Sequence, residues 1–318
     1  MAGTFDRIIG HKRACEVLRR MKENDRLSHA FLFVGPDHVG KATVARAFLS
    51  SFFSEGGGIP GMHPDMIEIT REQDEKTGKY KTVISVDQMR DLCEQLSMTA
   101  LCGGWKTVLI EEAYLLHSAA ANALLKTLEE PPGKTLFVLC ASTISSVPAT
   151  IASRCQILRF HFVPREDIEQ ALRKRGLDKE EAQQLSALSG GVPGQAIRLV
   201  EDSAFRAQME TAFASTMQLF DADLATRFQL VQKLLPKEET QRQDHLDDLL
   251  HTWETVLRDM LLVSHGCQDQ AIWTKEGITS NKDQGYWQRV LEAIVEMRQQ
   301  TLVSLNPLLA LEHILLIE

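Results

Sequence analysis

Residues 30 to 43 read A-F-L-F-V-G-P-D-H-V-G-K-A-T. The apolar run Ala30 to Val34 has the length and composition of a buried strand, and Lys41 to Phe53 follows with helical patterning. Between them, Gly35 to Lys41 fits the frame G-x-x-x-x-G-K, in which backbone N–H groups and a lysine surround phosphates at a helix N-terminus. Gly35 and Gly40 supply backbone freedom and Lys41 supplies charge. The competing reading is a chance match in a glycine-containing turn. The strand–loop–helix setting makes the motif specific for a fold and much less specific for an activity. The next position should offer a hydroxyl to Mg²⁺. Here it is Ala42, and the hydroxyl arrives one residue late, at Thr43. A helix turns about 100° per residue, so Thr43 does not simply replace it.

Outward from this stretch, short apolar runs alternate with helical patterns as far as residue 160. Further strands are expected at Asp65–Ile69, Lys81–Val86, Trp105–Ile110, Thr135–Ala141 and Cys155–Phe160. Between two of them, Met89, Leu92, Cys93 and Leu96 share one helical face. Such alternation predicts an α/β fold, a mainly parallel sheet with helices on both faces and phosphate sites at the carboxyl ends of its strands. Glu72 to Lys79 reads as a polar turn. Pro164 ends the alternation. Short helices at 165–175, 179–188 and 195–200, separated by Gly176 and by G-G-V-P-G at 190–194, read as a small helical lid. Beyond residue 205 the helices lengthen. Met209, Phe213, Thr216, Met217 and Phe220 share a face, as do Leu224, Phe228, Val231 and Leu235. A broad stripe runs from Leu246 through Trp253 to Leu261, and two more helices follow near 287–297 and 305–317. This pattern predicts a helical bundle. The expected domains are therefore 1–163, 164–205 and 206–318.

The composition, 44% apolar and 25% charged over 318 residues, leaves ample material for a core. No apolar run reaches the roughly 18 to 20 residues that span a bilayer, and the N-terminus lacks the apolar stretch of a signal peptide, so a cytoplasmic location is expected. The cysteines at 15, 93, 102, 140, 155 and 267 show no C-x-x-C spacing, so no zinc and no other metal is expected, and most should be buried apolar residues. A formal charge of -8 argues against a chain that coats DNA by itself.

Four other groups of residues could carry chemistry. The strand Val108-Leu109-Ile110 ends in Glu111-Glu112, where a nucleotide site would have Asp-Glu. Glutamate is one methylene longer than aspartate, which alters a metal position. Glu112 could still polarise a water if ATP and metal were in place. Two solvated acids ending a strand are the alternative. Ser142 closes the Thr135–Ala141 strand, where a polar residue could sense a γ-phosphate. Lys126, Glu129 and Glu130 read as residues that cap and orient the helix before Pro131 and Pro132. Arg154 stands between Ser153 and Cys155, just before a strand, where it could be half of a structural ion pair.

These motifs together resemble the AAA+ subunits of the bacterial DNA polymerase III clamp loader. The resemblance rests on I-I-G-H-K-R-A-C-E-V-L (8–18), L-S-H-A-F-L-F-V-G-P (27–36), H-P-D (63–65), V-D-Q-M-R (86–90), N-A-L-L-K-T-L-E-E-P-P (122–132), S-R-C (153–155) and G-G-V-P-G-Q-A-I-R-L (190–199). The last 110 residues match only in helical layout and the N-P-L-L-A-L-E ending at 306–312. The family implies an AAA+ P-loop domain, a lid and a C-terminal collar that assembles a ring. It also implies that Arg154 acts in trans as an arginine finger. Three departures stand out. The four-cysteine zinc module of many members is replaced by S-E-G-G-G-I-P-G-M at 54–62. Ala42 lacks the metal-binding hydroxyl. Gly194 occupies the place of the lid arginine that active members offer to the γ-phosphate, with Arg198 one helical turn too late. Weak or absent ATP/ADP binding and little or no ATPase are expected. Expected partners are the gamma/tau and delta subunits, the sliding clamp and primed DNA, with no membrane. The alternatives are an active ATPase, such as a gamma/tau subunit or a helicase loader, and a purely structural adaptor.

Overall fold

The structure is a computed structural model that describes residues 5, 7–24, 26–53, 63–73, 80–102, 104–234, 242–267, 282–300 and 306–317. The chain divides into two compact units, Met1–Ala182 with Gly191–Ala196, and Gln183–Gly190 with Ile197–Glu318. The division runs inside the segment expected as a lid, so helices at 179–188 and 193–201 each straddle it.

In the first unit, β1 (Ala30–Val34), β2 (Met66–Ile69), β3 (Lys106–Ile110), β4 (Thr135–Ala141) and β5 (Gln156–Arg159) form one sheet in the order β2-β3-β4-β1-β5. Every pairing is parallel. Successive strand side chains point to opposite faces, and both faces are covered. Ala30, Leu32, Val34, Phe137, Leu139 and Ala141 pack with α3 (Val86–Ser97), α4 (Ser118–Glu129) and α5 (Ala149–Ala152). Phe31, Phe33, Leu136, Val138 and Cys140 pack with α1 (Lys12–Glu23) and α2 (Lys41–Ser50). This is the expected α/β architecture. The apolar face read for α3 is also present, with Met89, Leu92 and Leu96 buried. α6 (Arg165–Lys174) follows β5 and buries Ile168 and Leu172.

One expected strand does not form. Lys81–Val86 makes a single isolated bridge, Ile84 with Leu116, and Tyr80 just before it bridges Gln73. Ser85 accepts the Gln88 amide while the Gln88 side chain accepts the Ser85 amide, a capping box that starts α3 at Val86. The apolar residues at 83–86 are thus divided between an extended lead-in and a helix. Of the polar turn read at 72–79, residues 74–79 lie outside the described residues.

The second unit is helical. α9 (Ser203–Asp221), α10 (Leu224–Leu234), α11 (Arg242–Ser264), α12 (Gln284–Gln300) and α13 (Pro307–Leu315) enclose a core around Phe220, Trp253 and Trp287, with Phe220 5.3 Å from the Trp253 ring. α7 (Lys179–Leu188) and α8 (Pro193–Glu201) precede them. Buried Arg227 donates to the carbonyls of Phe220, Ala222 and Leu315, joining the ends of α9 and α13. Leu224 was expected on the buried stripe of α10. It is exposed, and it opens the helix within the first turn, which Asp223 caps at the Thr226 amide. Leu235 lies outside the described residues. No helix among the described residues is long and apolar enough to cross a membrane.

Candidate functional site

In a parallel sheet all strands end at one edge. The register pairs Val34 with Ala141 and Ile110 with Leu139, so Gly35–Lys41, Glu111–Glu112 and Ser142 gather beyond the carboxyl ends of β1, β3 and β4. Arg154 lies at the opposite edge, because Gln156 pairs with Phe31 near the start of β1. The strand between the two levels spans on the order of 15 Å at about 3.3 Å per residue. Arg154 is therefore remote from the phosphate loop of its own chain.

The phosphate loop is held by internal contacts. Gly35 allows the loop to pass close to the sheet, since a Cβ there would lie 2.3 Å from the Phe160 carbonyl oxygen. Lys41 is buried, and its ammonium donates to the Gly35 oxygen at 2.6 Å and the Pro36 oxygen at 2.7 Å, with Asp37 at 3.3 Å. Its charge is satisfied within the loop it would use to cradle phosphate. His11, ahead of α1, reaches back to the Val39 carbonyl at 2.8 Å through Nε2. Burial holds the His11 pKa below the ordinary histidine value, with a smaller contribution from His161 and the Val39 bond acting the other way. The Gly194 amide donates to the His38 carbonyl at 3.1 Å, and a Cβ on Gly194 would meet that oxygen at 2.8 Å. The Gly194 backbone is thus pressed against the loop.

The acids are engaged as well. Glu111 pairs with Arg46 of α2, which also bonds Glu68 at 3.0 and 3.2 Å. Glu112 accepts from Arg71 at 2.8 Å and from the Tyr114 hydroxyl at 3.1 Å. Burial first and Glu112 second push the Tyr114 pKa up to about 12, so this phenol stays a donor. Ser142 is half-buried at the strand end, and Thr43 is exposed on α2. A magnesium nucleotide would need a hydroxyl where Ala42 stands and a free carboxylate where Glu111 is already neutralised. The residues present do not fit it.

Sequence reasoning missed Arg46, Arg71 and His11. Arg46 could have been found, because it lies four residues after Ala42 on one helix face. The Arg71–Glu112 pair joins residues 41 apart and left no local signal.

Arg154 is one-third exposed and paired. Its Nε donates to Glu129 Oε1 at 2.8 Å, its Nη2 donates to the same oxygen, and its Nη1 donates to the Thr150 carbonyl at 2.8 Å. Glu129 thus does more than end its helix. The Glu130 amide bonds the Lys126 carbonyl and closes α4.

Among the described residues, one group of three possible metal donors occurs, His63, Asp65 and Cys102, with ligand atoms within 4.8 Å of one another. Two of these three residues already serve the backbone. His63 Nδ1 accepts the Asp65 amide at 3.1 Å, and the Asp65 oxygens accept the Leu101 and Cys102 amides at 2.8 and 2.9 Å. Burial raises the Asp65 pKa, but these amides, with His63 and Lys106 nearby, hold it below the ordinary value. Cys15 and Cys140 are buried, Cys93, Cys155 and Cys267 are half-buried and Cys102 is exposed, so the expectation that most cysteines are buried does not hold. The glycine-rich segment at 54–62 lies outside the described residues.

The family model described as "DNA polymerase III, delta subunit" matches residues 10–164. The delta-prime subunit of Bacillus subtilis DNA polymerase III is 28% identical over 326 residues, 96% of this chain and 94% of that protein. The delta-prime subunit of Escherichia coli is 33% identical over 210 residues, 65% of this chain and 57% of that protein. A DNA polymerase III gamma subunit from Buchnera aphidicola is 26% identical over 286 residues, 82% of this chain and 76% of that protein. The family model covers the strand–loop–helix core, and the Bacillus alignment, at 96% of the chain, extends into the helical region. The chain is thus similar to bacterial DNA polymerase III subunits over residues 10–164 and to a delta-prime subunit along nearly its whole length.

Proposed function

We propose that this chain is a clamp-loader subunit that hydrolyses little or no ATP itself and lends Arg154 to the site of an adjacent ATPase subunit. It would help to place the sliding clamp on primed DNA alongside gamma/tau and delta subunits, in the cytoplasm. The observation that carries this reading is the separation of Arg154 from its own phosphate loop by the height of the sheet. The loop's own lysine and both acids are meanwhile engaged in internal bonds. Weak or absent binding of ATP or ADP follows, because Lys41 would have to leave three oxygen partners to meet a phosphate. No structural zinc is part of the proposal, and elemental analysis of the purified protein tests it. A net charge of -8 suits a chain that meets DNA as one member of an assembly.

The test is DNA-stimulated ATPase and clamp loading by loaders reconstituted with Arg154→Ala or Lys41→Ala. Fingers contribute roughly 10³ to 10⁵ in rate in other NTPases. Total ATPase should fall only partly with Arg154→Ala, since other sites keep their own fingers, and clamp loading should fall further. Lys41→Ala should leave both nearly unchanged. The structural-adaptor reading is favoured by one observation, the Arg154–Glu129 pair. Wild-type activity in Arg154→Ala would make that reading the better one.

A further inference from the structure

The pairing of Arg154 bears on how a trans finger would be aimed. Its guanidinium is bound on two sides by different elements. Glu129, the last residue of α4, takes Nε at 2.8 Å and also Nη2 through one oxygen. The Thr150 carbonyl of α5 takes Nη1 at 2.8 Å, and Ser153 Oγ lies 3.4 Å from the same nitrogen. Guanidinium carries five N–H donors in a rigid plane. These contacts use the Nε donor, both Nη1 donors and one Nη2 donor. The second Nη2 donor remains for an outside acceptor such as a phosphate oxygen. Glu129 is itself held in place. The Glu130 amide closes α4 on Lys126, and Pro131 and Pro132 stop the chain from continuing the helix.

We infer that Glu129 is a positioning residue for Arg154, fixing the side edge of the guanidinium so that its remaining Nη2 donor faces a phosphate on a neighbouring subunit. This rests on the reading of Arg154 as a trans finger. The carboxylate is not a group that touches nucleotide. It acts by holding the arginine in one of its many rotamers before the neighbour arrives, so that fewer arrangements are lost in the transition state.

The experiment compares loaders reconstituted with wild-type chain, Glu129→Ala, Glu129→Gln, Arg154→Ala and the double variant Glu129→Ala with Arg154→Ala. kcat and KM for ATP are measured in the DNA-stimulated reaction, together with clamp loading. Misplacement of a catalytic group by about 1 Å can cost on the order of 100-fold. Glu129→Ala should lower kcat at the affected site about 10-fold, with little change in KM, because a finger acts mainly in the transition state. Glu129→Gln keeps an acceptor oxygen and should restore most of the rate. The double variant should be no slower than Arg154→Ala alone, since a positioning residue has nothing left to position. Wild-type kcat in Glu129→Ala beside a slow Arg154→Ala would overturn the inference and leave the finger standing. Additive losses in the double variant, or Gln as slow as Ala, would also overturn it. A wild-type rate in Arg154→Ala would remove the finger and this inference together.

Discussion

Asp65 illustrates what one side chain does here beyond its own position. It is 3% exposed and accepts the amides of Leu101 and Cys102, tying the segment after α3 to the start of β2. Replacing it by Asn leaves one carbonyl oxygen for two partly buried amides and turns an NH₂ toward the other. Hydrogen bonds to charged groups are worth about 1.5 to 3 kcal/mol, and an orphaned buried donor costs a similar amount. Asp65→Asn should therefore lower unfolding stability by about 2 kcal/mol at pH 7 in urea melts. The pH dependence follows from the lowered folded-state pKa. Asp65 binds a proton more readily when unfolded, so its stabilisation is complete above the ordinary aspartate value of about 3.9. It is lost as pH falls from there through the lowered folded value. The gap between wild type and Asp65→Asn should shrink below about pH 4. A gap that stays constant across that window would mean that the carboxylate's charge is irrelevant.

At the scale of elements, the buried strands were legible because a parallel strand covered on both faces is a continuous apolar run, and Ala30–Val34 and Thr135–Ala141 are such runs. Lys81–Val86 was misread because its composition suits a strand while the capping box at Ser85 and Gln88 commits its end to α3. The phosphate loop was legible from its glycines and lysine. Its closure was not, since that depends on residues far away in sequence: the Gly194 amide on His38, His11 on Val39, and Arg46 on Glu111. The turn at 190–194 was read as lacking an arginine, and the structure adds the spatial reason why one does not fit. Gly194→Arg would put its Cβ 2.8 Å from the His38 carbonyl oxygen. It should cost about 1 to 3 kcal/mol as a packing clash and should not create ATPase in the isolated protein. Thermal unfolding and steady-state hydrolysis measure both. Measurable ATPase without loss of stability would mean that the turn can open and that the missing arginine was the principal defect.

Across the whole molecule, the two units differ in what their sequences specify. The first carries nearly every motif that could be read, because phosphate loops, strand-end acids and the Ser153-Arg154-Cys155 triplet each need particular residues at fixed spacings. The second is specified mainly by apolar periodicity. Its core around Phe220, Trp253 and Trp287 could be met by many sequences, so its helices were legible and its role was not. A unit built this way suits assembly, since a helical bundle can present a continuous surface whatever the state of a nucleotide elsewhere. Removing the chain after residue 205 takes away α10 to α13 and almost all of α9, while leaving the sheet, its covering helices and the Gly194–His38 contact. The truncated protein should keep the circular dichroism of an α/β domain and unfold cooperatively, yet fail to enter a loader reconstituted with its partner subunits, as read by size-exclusion chromatography. A truncation that unfolds would show that the first unit depends on the second. One that remains folded and still assembles would move the ring-forming surface to the α/β unit and leave the bundle without a part in assembly.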